Sequence, residues 1–326
     1  MQVKAIRIDR PGPPSAMELR MVTVGEPGPG EALIRHTAIG LNYIDTYHRS
    51  GLYDLPMPSG IGSEAAGVVE AVGEGVKHVR SGDRAAYAGG APGSYSEARI
   101  MPADRLVKLP DDIDDRQAAA MMLKGMTVEY LLNRTFEVTS DQTILFHAAA
   151  GGVGLIAGQW AKALGATVIG TAGGPEKCAL AKGYGYDHMI DYKQGGIAQQ
   201  VRELTGGTGV PVVYDSVGKA TWEESLDCLT PRGVMVSFGN ASGPAAPFAP
   251  GILAAKGSLY LTRPSLVHYT LTQQEVQASA EALFAMVGSG KVRIEVNQTY
   301  TLADAARAHE DLEGRRTTGS TVLLVE

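Results

Sequence analysis

Ile144-Leu145-Phe146-His147-Ala148-Ala149-Ala150-Gly151-Gly152-Val153-Gly154 reads as a buried strand that runs into a tight turn of small residues. A helical run, Val153 to Leu164, leaves the turn, with Ala157, Trp160, Ala161 and Leu164 recurring at helical spacing. The spacing Ala149-x-Gly151-x-x-Gly154 is the dinucleotide-binding fingerprint, with alanine in the first glycine position. The first small residue turns the chain sharply off the strand. Gly151 admits a pyrophosphate close to the backbone, and Gly154 lets the helix pack tightly on the sheet. The helix N-terminus then offers unpaired N–H groups and a positive dipole end to the phosphates. Gly165 ends the helix and a second strand, Thr167 to Gly170, follows.

Working outward, strand signals repeat at His188 to Ile190, Pro211 to Asp215, Val234 to Phe238 and Ser258 to Leu261. Helical stretches at Pro175 to Lys182, Ile197 to Leu204 and Thr221 to Leu229 lie between them, and a helix carrying Tyr130 starts at Thr127. This alternation predicts a doubly wound parallel sheet over residues 125–265, binding its ligand beyond the carboxyl ends of the strands. Two later strand ends on that side, Phe238-Gly239-Asn240 and Thr262-Arg263-Pro264, are ligand loops or bare loops.

The end of the second strand sets the coenzyme. A coenzyme without the 2′-phosphate needs a carboxylate there, about 20 residues past the glycines, for the ribose diol. The segment reads Thr171-Ala172-Gly173-Gly174-Pro175-Glu176-Lys177, with no carboxylate directly after the strand. The glycines make room, Lys177 brings a cation and Tyr192 a hydroxyl, so the 2′-phosphorylated form is expected. Glu176 argues the other way, but helix geometry turns it from Lys177's side of the turn.

Residues 1–124 read differently. Short strands at Val3 to Ile8, Ala32 to Ile39, Ala66 to Val72, Arg84 to Tyr87 and Arg105 to Leu109 are separated by Pro-Gly clusters, which predicts a compact, mostly antiparallel barrel. Asn42-Tyr43-Ile44-Asp45-Thr46-Tyr47, followed by Arg49-Ser50-Gly51-Leu52-Tyr53, packs amide, carboxylate, hydroxyl and phenol groups into an apolar frame. In Gly60-Ile61-Gly62-Ser63-Glu64-Ala65-Ala66-Gly67 the one charge is Glu64. By themselves these stretches are as well read as a capped helix and a glycine-rich strand entry. The tail, 266–326, holds an amphipathic helix at Glu275 to Val287 and a final strand at Thr321 to Val325, and is expected to complete the first domain. Arg315 or Arg316 would then reach the 2′-phosphate.

The 326 residues carry a formal net charge of −6, with 44% apolar and 20% charged residues. No apolar run approaches the ~20 residues of a membrane span, and Met1 to Arg10 lacks the apolar stretch of a signal peptide. The acidic balance, without a basic aromatic-studded surface, argues against nucleic acid as the partner. Cys178 and Cys228 suggest no disulfide framework, which fits a reducing cytoplasm.

The chain resembles the zeta-crystallin-like NADPH:quinone oxidoreductases, the zinc-free branch of the medium-chain dehydrogenase/reductase superfamily. The resemblance spans nearly the whole length. It is carried by the 42–47, 49–53 and 63–67 segments and by Leu145 to Ile156. Val236-Ser237-Phe238-Gly239-Asn240, Lys256-Gly257-Ser258-Leu259-Tyr260 and Thr262-Arg263-Pro264-Ser265-Leu266 complete it. It implies an α/β chain with a GroES-like catalytic domain, a Rossmann domain, a cleft between them and a homodimer. It also implies NADPH as coenzyme, a quinone as substrate and a cytoplasmic enzyme. Carried over, the nicotinamide neighbours are Asn42, Tyr43, Ile44, Asp45, Thr46, Tyr47 and Tyr130, and the pyrophosphate turn is Gly151, Gly152 and Val153. The 2′-phosphate pocket is Gly173, Gly174, Lys177, Tyr192 and Arg315. Adenosine and ribose fall to Ser216, Phe238, Gly239, Asn240, Arg263 and Pro264. The zinc-dependent relatives have cysteine at the Asn42 position and histidine at Ser63, so the resemblance implies no metal.

Without a metal nothing strongly polarises an alcohol, whereas a quinone is already electrophilic and needs positioning against the nicotinamide. Asn42 and Tyr47 are read as hydrogen-bonding the substrate carbonyl, with Tyr53 a further candidate, and His147 as packing at its strand end. The rival readings are an NADPH-dependent reductase of enone or alkenal C=C bonds and an NADPH-binding RNA-binding or structural protein.

Overall fold

The computed structural model describes residues 1–325. The strands are β1 (Gln2–Ile8), β2 (Glu18–Thr23), β3 (Glu31–Leu41), β4 (Ser59–Gly60), β5 (Glu64–Val72), β6 (Arg84–Ala88), β7 (Ala98–Pro102) and β8 (Val107–Lys108), then β9 (Thr143–Phe146), β10 (Thr167–Ala172), β11 (His188–Asp191), β12 (Val210–Asp215), β13 (Leu229–Ser237) and β14 (Tyr260–Thr262), and last β15 (Val296–Thr301) and β16 (Ser320–Leu324). The helices are α1 (Tyr43–Ser50), α2 (Asp115–Tyr130), α3 (Gly152–Ala163), α4 (Pro175–Lys182), α5 (Ile197–Leu204), α6 (Trp222–Asp227), α7 (Gly251–Ala255), α8 (Leu266–Tyr269), α9 (Gln273–Gly288) and α10 (Ala305–Glu313). The chain divides into two compact units, one of residues 1–126, 269–288 and 294 onward, the other of 127–268 and 289–293.

The first unit is mostly antiparallel. Its larger sheet runs β15-β16-β3-β5-β6-β8, with β7 also on β3, and a second sheet runs β2-β1-β4. The tail enters through β16, which pairs antiparallel with β3, Thr321 opposite Leu41. Ile6, Ile8, Ile34, Ile39, Ile61, Val69, Tyr87, Tyr95, Leu106 and Leu323 form one buried core. Each large apolar side chain so buried contributes about 1.5–3 kcal/mol.

His36, on β3, is a buried polar member of this unit. Its Nδ1 donates to Ser96 O (2.7 Å) and its Nε2 faces the Tyr87 hydroxyl (3.0 Å), a pattern only the neutral ring satisfies with Tyr87 donating. Burial lowers its pKa to about 4. The folded state therefore binds fewer protons than the unfolded chain between pH 6.5 and 4, so stability falls as pH drops through that window. His36 alone is expected to cost about 3 kcal/mol by pH 4. Denaturant midpoints of wild type and His36→Gln measured at pH 7 and pH 4 check this. A gap between the two proteins that does not change with pH would contradict it.

The second unit is a six-stranded parallel sheet in the order β11-β10-β9-β12-β13-β14. Its central strands are apolar because helices cover both faces. The order reverses between β9 and β12, and that switch point is where such sheets take a ligand.

Several elements depart from the sequence reading. The helix expected from Thr127 begins at Asp115, because Ala118-Ala119-Ala120-Met121-Met122 is buried on every side and shows no amphipathic period. The strand expected at Arg105 to Leu109 is a 3-10 turn, Ala103–Arg105, and the two-residue β8. β13 starts five residues earlier than Val234, with Arg232 at a φ of 63° inside it. β2 and β7, for which the sequence reading names no element, are also strands.

Candidate functional site

The turn after β9 is built by backbone. Ala148 takes a φ of 54°, its carbonyl accepts from Gly151 N (2.9 Å), and Ala149 N bonds Thr171 O on β10 (2.9 Å). Gly151 is the N-cap of α3 and makes no side-chain cap, so the first N–H groups are left for an anion. A Cβ on Gly154 would overlap Ala148 O and lie 2.6 Å from Ala149 O. Only glycine brings α3 this close to the strand.

At the ends of β10 and β11 a second cradle forms. A Cβ on Gly173 would overlap the Tyr192 hydroxyl and lie 2.7 Å from its Cζ, so the phenol lies directly over the glycine. Gly174, at a φ of 96°, caps α4, whose first turn carries Lys177. Asp191 Oδ1 accepts from Gly174 N (2.8 Å) and Lys193 N (3.0 Å), and these bonds hold the Asp191 carboxyl below its ordinary pKa. Lys193 Nζ lies 3.6 Å from where a Gly174 Cβ would be. Sequence reasoning passed over Lys193, although it directly follows Tyr192. A phenol and Lys193 thus gather by two glycines, with Lys177 on the adjoining first turn of α4, and the Asp191 carboxylate there is bonded to backbone N–H groups.

The loops after β12 and β13 interlock. A Cβ on Gly239 would stand 2.5 Å from Ser216 O, and Ser216 O accepts from Ala241 N (3.1 Å). Phe238 packs on Phe146 at 5.6 Å. Arg263 Nη1 donates to Ser237 O (3.0 Å), and Pro264 beside it is buried. Tyr130 is buried at the end of α2. Beneath the loops Asp215 accepts from Val217 N (2.7 Å), Gly218 N (3.0 Å), Thr221 Oγ1 (2.7 Å) and Ser225 Oγ (2.7 Å). Ser225 also meets His147 Nε2 (3.0 Å), whose Nδ1 meets Thr171 Oγ1 (2.9 Å). His147 is fully buried, and burial lowers its pKa.

In the first unit, Asn42 caps α1 and Asp45 Oδ2 accepts from its N–H (2.9 Å). Asp45 also receives Ser63 Oγ (3.2 Å) and Tyr95 OH (3.1 Å), and burial pushes its pKa up to about 7. Asn42 Nδ2 donates to Glu64 Oε2 (2.7 Å), which also takes Lys124 Nζ (3.1 Å). Ile44 is half-buried, and Thr46 donates to Tyr43 O (2.8 Å). Tyr47 and Tyr53 meet edge to face at 5.1 Å, and Tyr43 OH donates to Leu312 O (3.1 Å). Arg315 is exposed with a φ of 57°, while Arg316 is committed to Asp311 (2.6 Å).

Residues 28–111 match the alcohol dehydrogenase GroES-like domain family, and residues 152–285 the zinc-binding dehydrogenase family. A quinone oxidoreductase of Pseudomonas aeruginosa is 57% identical over 322 residues, 98% of this chain and 99% of its own. The chain belongs to the quinone oxidoreductases. The solved Escherichia coli quinone oxidoreductase, complexed with NADPH, superposes with a TM-score of 0.97 at 50% identity, covering 98% of this chain and 99% of that one. A 2-haloacrylate reductase of a Burkholderia species is 46% identical over 99% of both chains. This family membership makes the chain an oxidoreductase with a GroES-like unit and a Rossmann unit.

The zinc in the second family's description does not fit this member. Among the described residues no three of His, Cys, Asp and Glu gather as a metal would require. Asn42 and Ser63 offer no thiolate or imidazole, and the lone pairs of Asp45 and Glu64 face N–H and O–H donors, one of them the Lys124 ammonium.

Proposed function

We propose that this chain reduces quinones with NADPH. The observation that carries the reading is the end of β10, where the Tyr192 phenol lies over Gly173, Lys193 lies by Gly174, the Asp191 carboxylate is occupied by the Gly174 and Lys193 N–H groups, and Lys177 stands on the first turn of α4, a setting suited to a phosphoryl group. The α3 turn suits the pyrophosphate, and Ser216, Phe238, Gly239, Asn240, Arg263 and Pro264 suit the adenosine end. The coenzyme, once bound, supplies a hydride equivalent to an acceptor. Tyr130 and the 42–47 segment are assigned to the nicotinamide, and Arg315 to the 2′-phosphate. The buried phenol of Tyr47, braced by Tyr53, is assigned to the substrate carbonyl. The chain works as a homodimer, a reading supported by β14, an edge strand whose Tyr260 is 62% exposed. Light scattering on the eluted protein checks that assembly. No helix among the described residues is long and apolar enough to cross a membrane, and both cysteines are free, in keeping with the cytoplasm.

NADPH oxidation followed against a panel of quinones, with NADH as control, tests the function. A protein that oxidises NADPH with no quinone overturns it. The second reading, reduction of an activated C=C bond, is favoured by the likeness to the 2-haloacrylate reductase, so enones and haloacrylates belong in the same panel.

Lys177→Ala is expected to raise the KM for NADPH about 10–100-fold, the worth of one charge-assisted phosphate contact, and the KM for NADH by less than about twofold. Equal changes in both would remove Lys177 from the phosphate pocket.

A further inference from the structure

We infer that Glu64 and Lys124 form a buried positioning pair that locks the Asn42 amide with its oxygen, not its nitrogen, left for the reactants. This deepens the function proposed above and rests on its placing of Asn42 beside them. Glu64 is 0%, Lys124 4% and Asn42 6% exposed. A carboxylate only accepts, so Asn42 must turn its NH2 to Glu64. Both amide protons then have acceptors, Glu64 Oε2 at 2.7 Å and, more weakly, Gly40 O at 3.5 Å. The amide oxygen has two lone pairs, and capping α1 uses at most one.

The pair is held from three sides. Leu123 N donates to Glu64 Oε1 (2.8 Å) and the Lys124 ammonium sits on Oε2 (3.1 Å), so Glu64 cannot swing away without stranding a buried cation. A Cβ on Gly40 would overlap both Glu64 Oε2 and Ala119 O, so the chain keeps a glycine where the carboxylate passes. Reversing the amide would set oxygen against carboxylate in a site that excludes water. The sequence reading had Asn42 donating to a substrate carbonyl. In this geometry that donor is spent, Asn42 serves an N–H or O–H of the reactants as acceptor, and the carbonyl is left to a phenol.

Two measurements test this. In a 15N spectrum of the wild-type protein, one Asn42 side-chain amide proton is expected far downfield and slow to exchange, and to lose both properties in Glu64→Gln. An Asn42 NH2 with the shifts of an exposed amide overturns the inference, whatever the enzyme does with quinones. In kinetics, Glu64→Gln presents an oxygen and an NH2 to Asn42 and no longer dictates its orientation. Its kcat is expected to fall at least about tenfold while the KM for NADPH stays within about twofold. The double variant Glu64→Gln/Lys124→Met removes both charges and keeps the shapes. It is expected to melt near wild type but keep the low kcat. Recovery of both stability and kcat would make the pair structural only, and overturn the inference. A wild type inactive with every quinone and enone would defeat the proposed function but leave the amide spectrum able to decide the orientation.

Discussion

Gly154→Val is expected to give a folded protein that no longer retains NADPH. The added Cβ meets backbone, overlapping Ala148 O and standing 2.6 Å from Ala149 O, so no side chain can move aside to admit it. The start of α3 must lift instead. It cannot lift freely, because Tyr186 OH donates to Gly154 O (2.7 Å) and Leu155 N bonds Gly151 O (2.9 Å). Overpacking of this kind costs about 1–3 kcal/mol, and at about 2–4 °C per kcal/mol for a protein of this size the melting temperature falls by roughly 5 °C. Binding is expected to suffer more, because the N–H groups proposed to face the pyrophosphate move together. A rise in Kd of at least about a hundredfold, some 2.7 kcal/mol, is expected by fluorescence titration. Gly151→Ala is the internal control. A Cβ there meets only Ala148 O, at 3.2 Å, so stability should stay close to wild type and any lost affinity reports the coenzyme's own approach. A Gly154→Val protein binding NADPH within about tenfold of wild type would remove the turn from the site.

The second large effect lies at Asp215. Asp215→Ala removes four acceptor contacts at once from a fully buried position, and leaves the N–H groups of Val217 and Gly218 without partners. Each buried unsatisfied donor costs about 1–3 kcal/mol, so a loss of roughly 3–5 kcal/mol is expected, in the range kept for broken buried networks. Asp215→Asn should cost less than about 1.5 kcal/mol. The asparagine oxygen still takes the two N–H groups. Thr221 keeps Gly218 O (3.2 Å), and Ser225 can accept from the new NH2 while donating to His147 Nε2. That switch reverses the His147 tautomer without adding charge. Denaturant unfolding of the two variants decides the matter. If alanine and asparagine cost the same, the carboxylate is not what organises the loops.

Much of the second unit is legible in the chain because its signals are local. α4 and α5 occupy the ranges that periodicity and glycine punctuation predict, and the Ala149-x-Gly151-x-x-Gly154 spacing marks the turn between β9 and α3. A strand, a turn and a helix are each set by residues within a few positions of one another, so composition and period reveal them. The part of α2 before Thr127 escaped because a stretch buried all round has no polar face to betray its period.

The polar chemistry was decided elsewhere. Asn42, Glu64 and Lys124 stand 22 and 60 residues apart along the chain, and His147 reaches Ser225 across 78. Which residue types cluster near Asn42 was visible in the sequence. Which amide atom is spent on a buried carboxylate, and that Lys193 comes to lie by Gly174, was not. Burial removes water as the alternative partner, and each donor must then find an acceptor that only the folded chain brings within 3 Å.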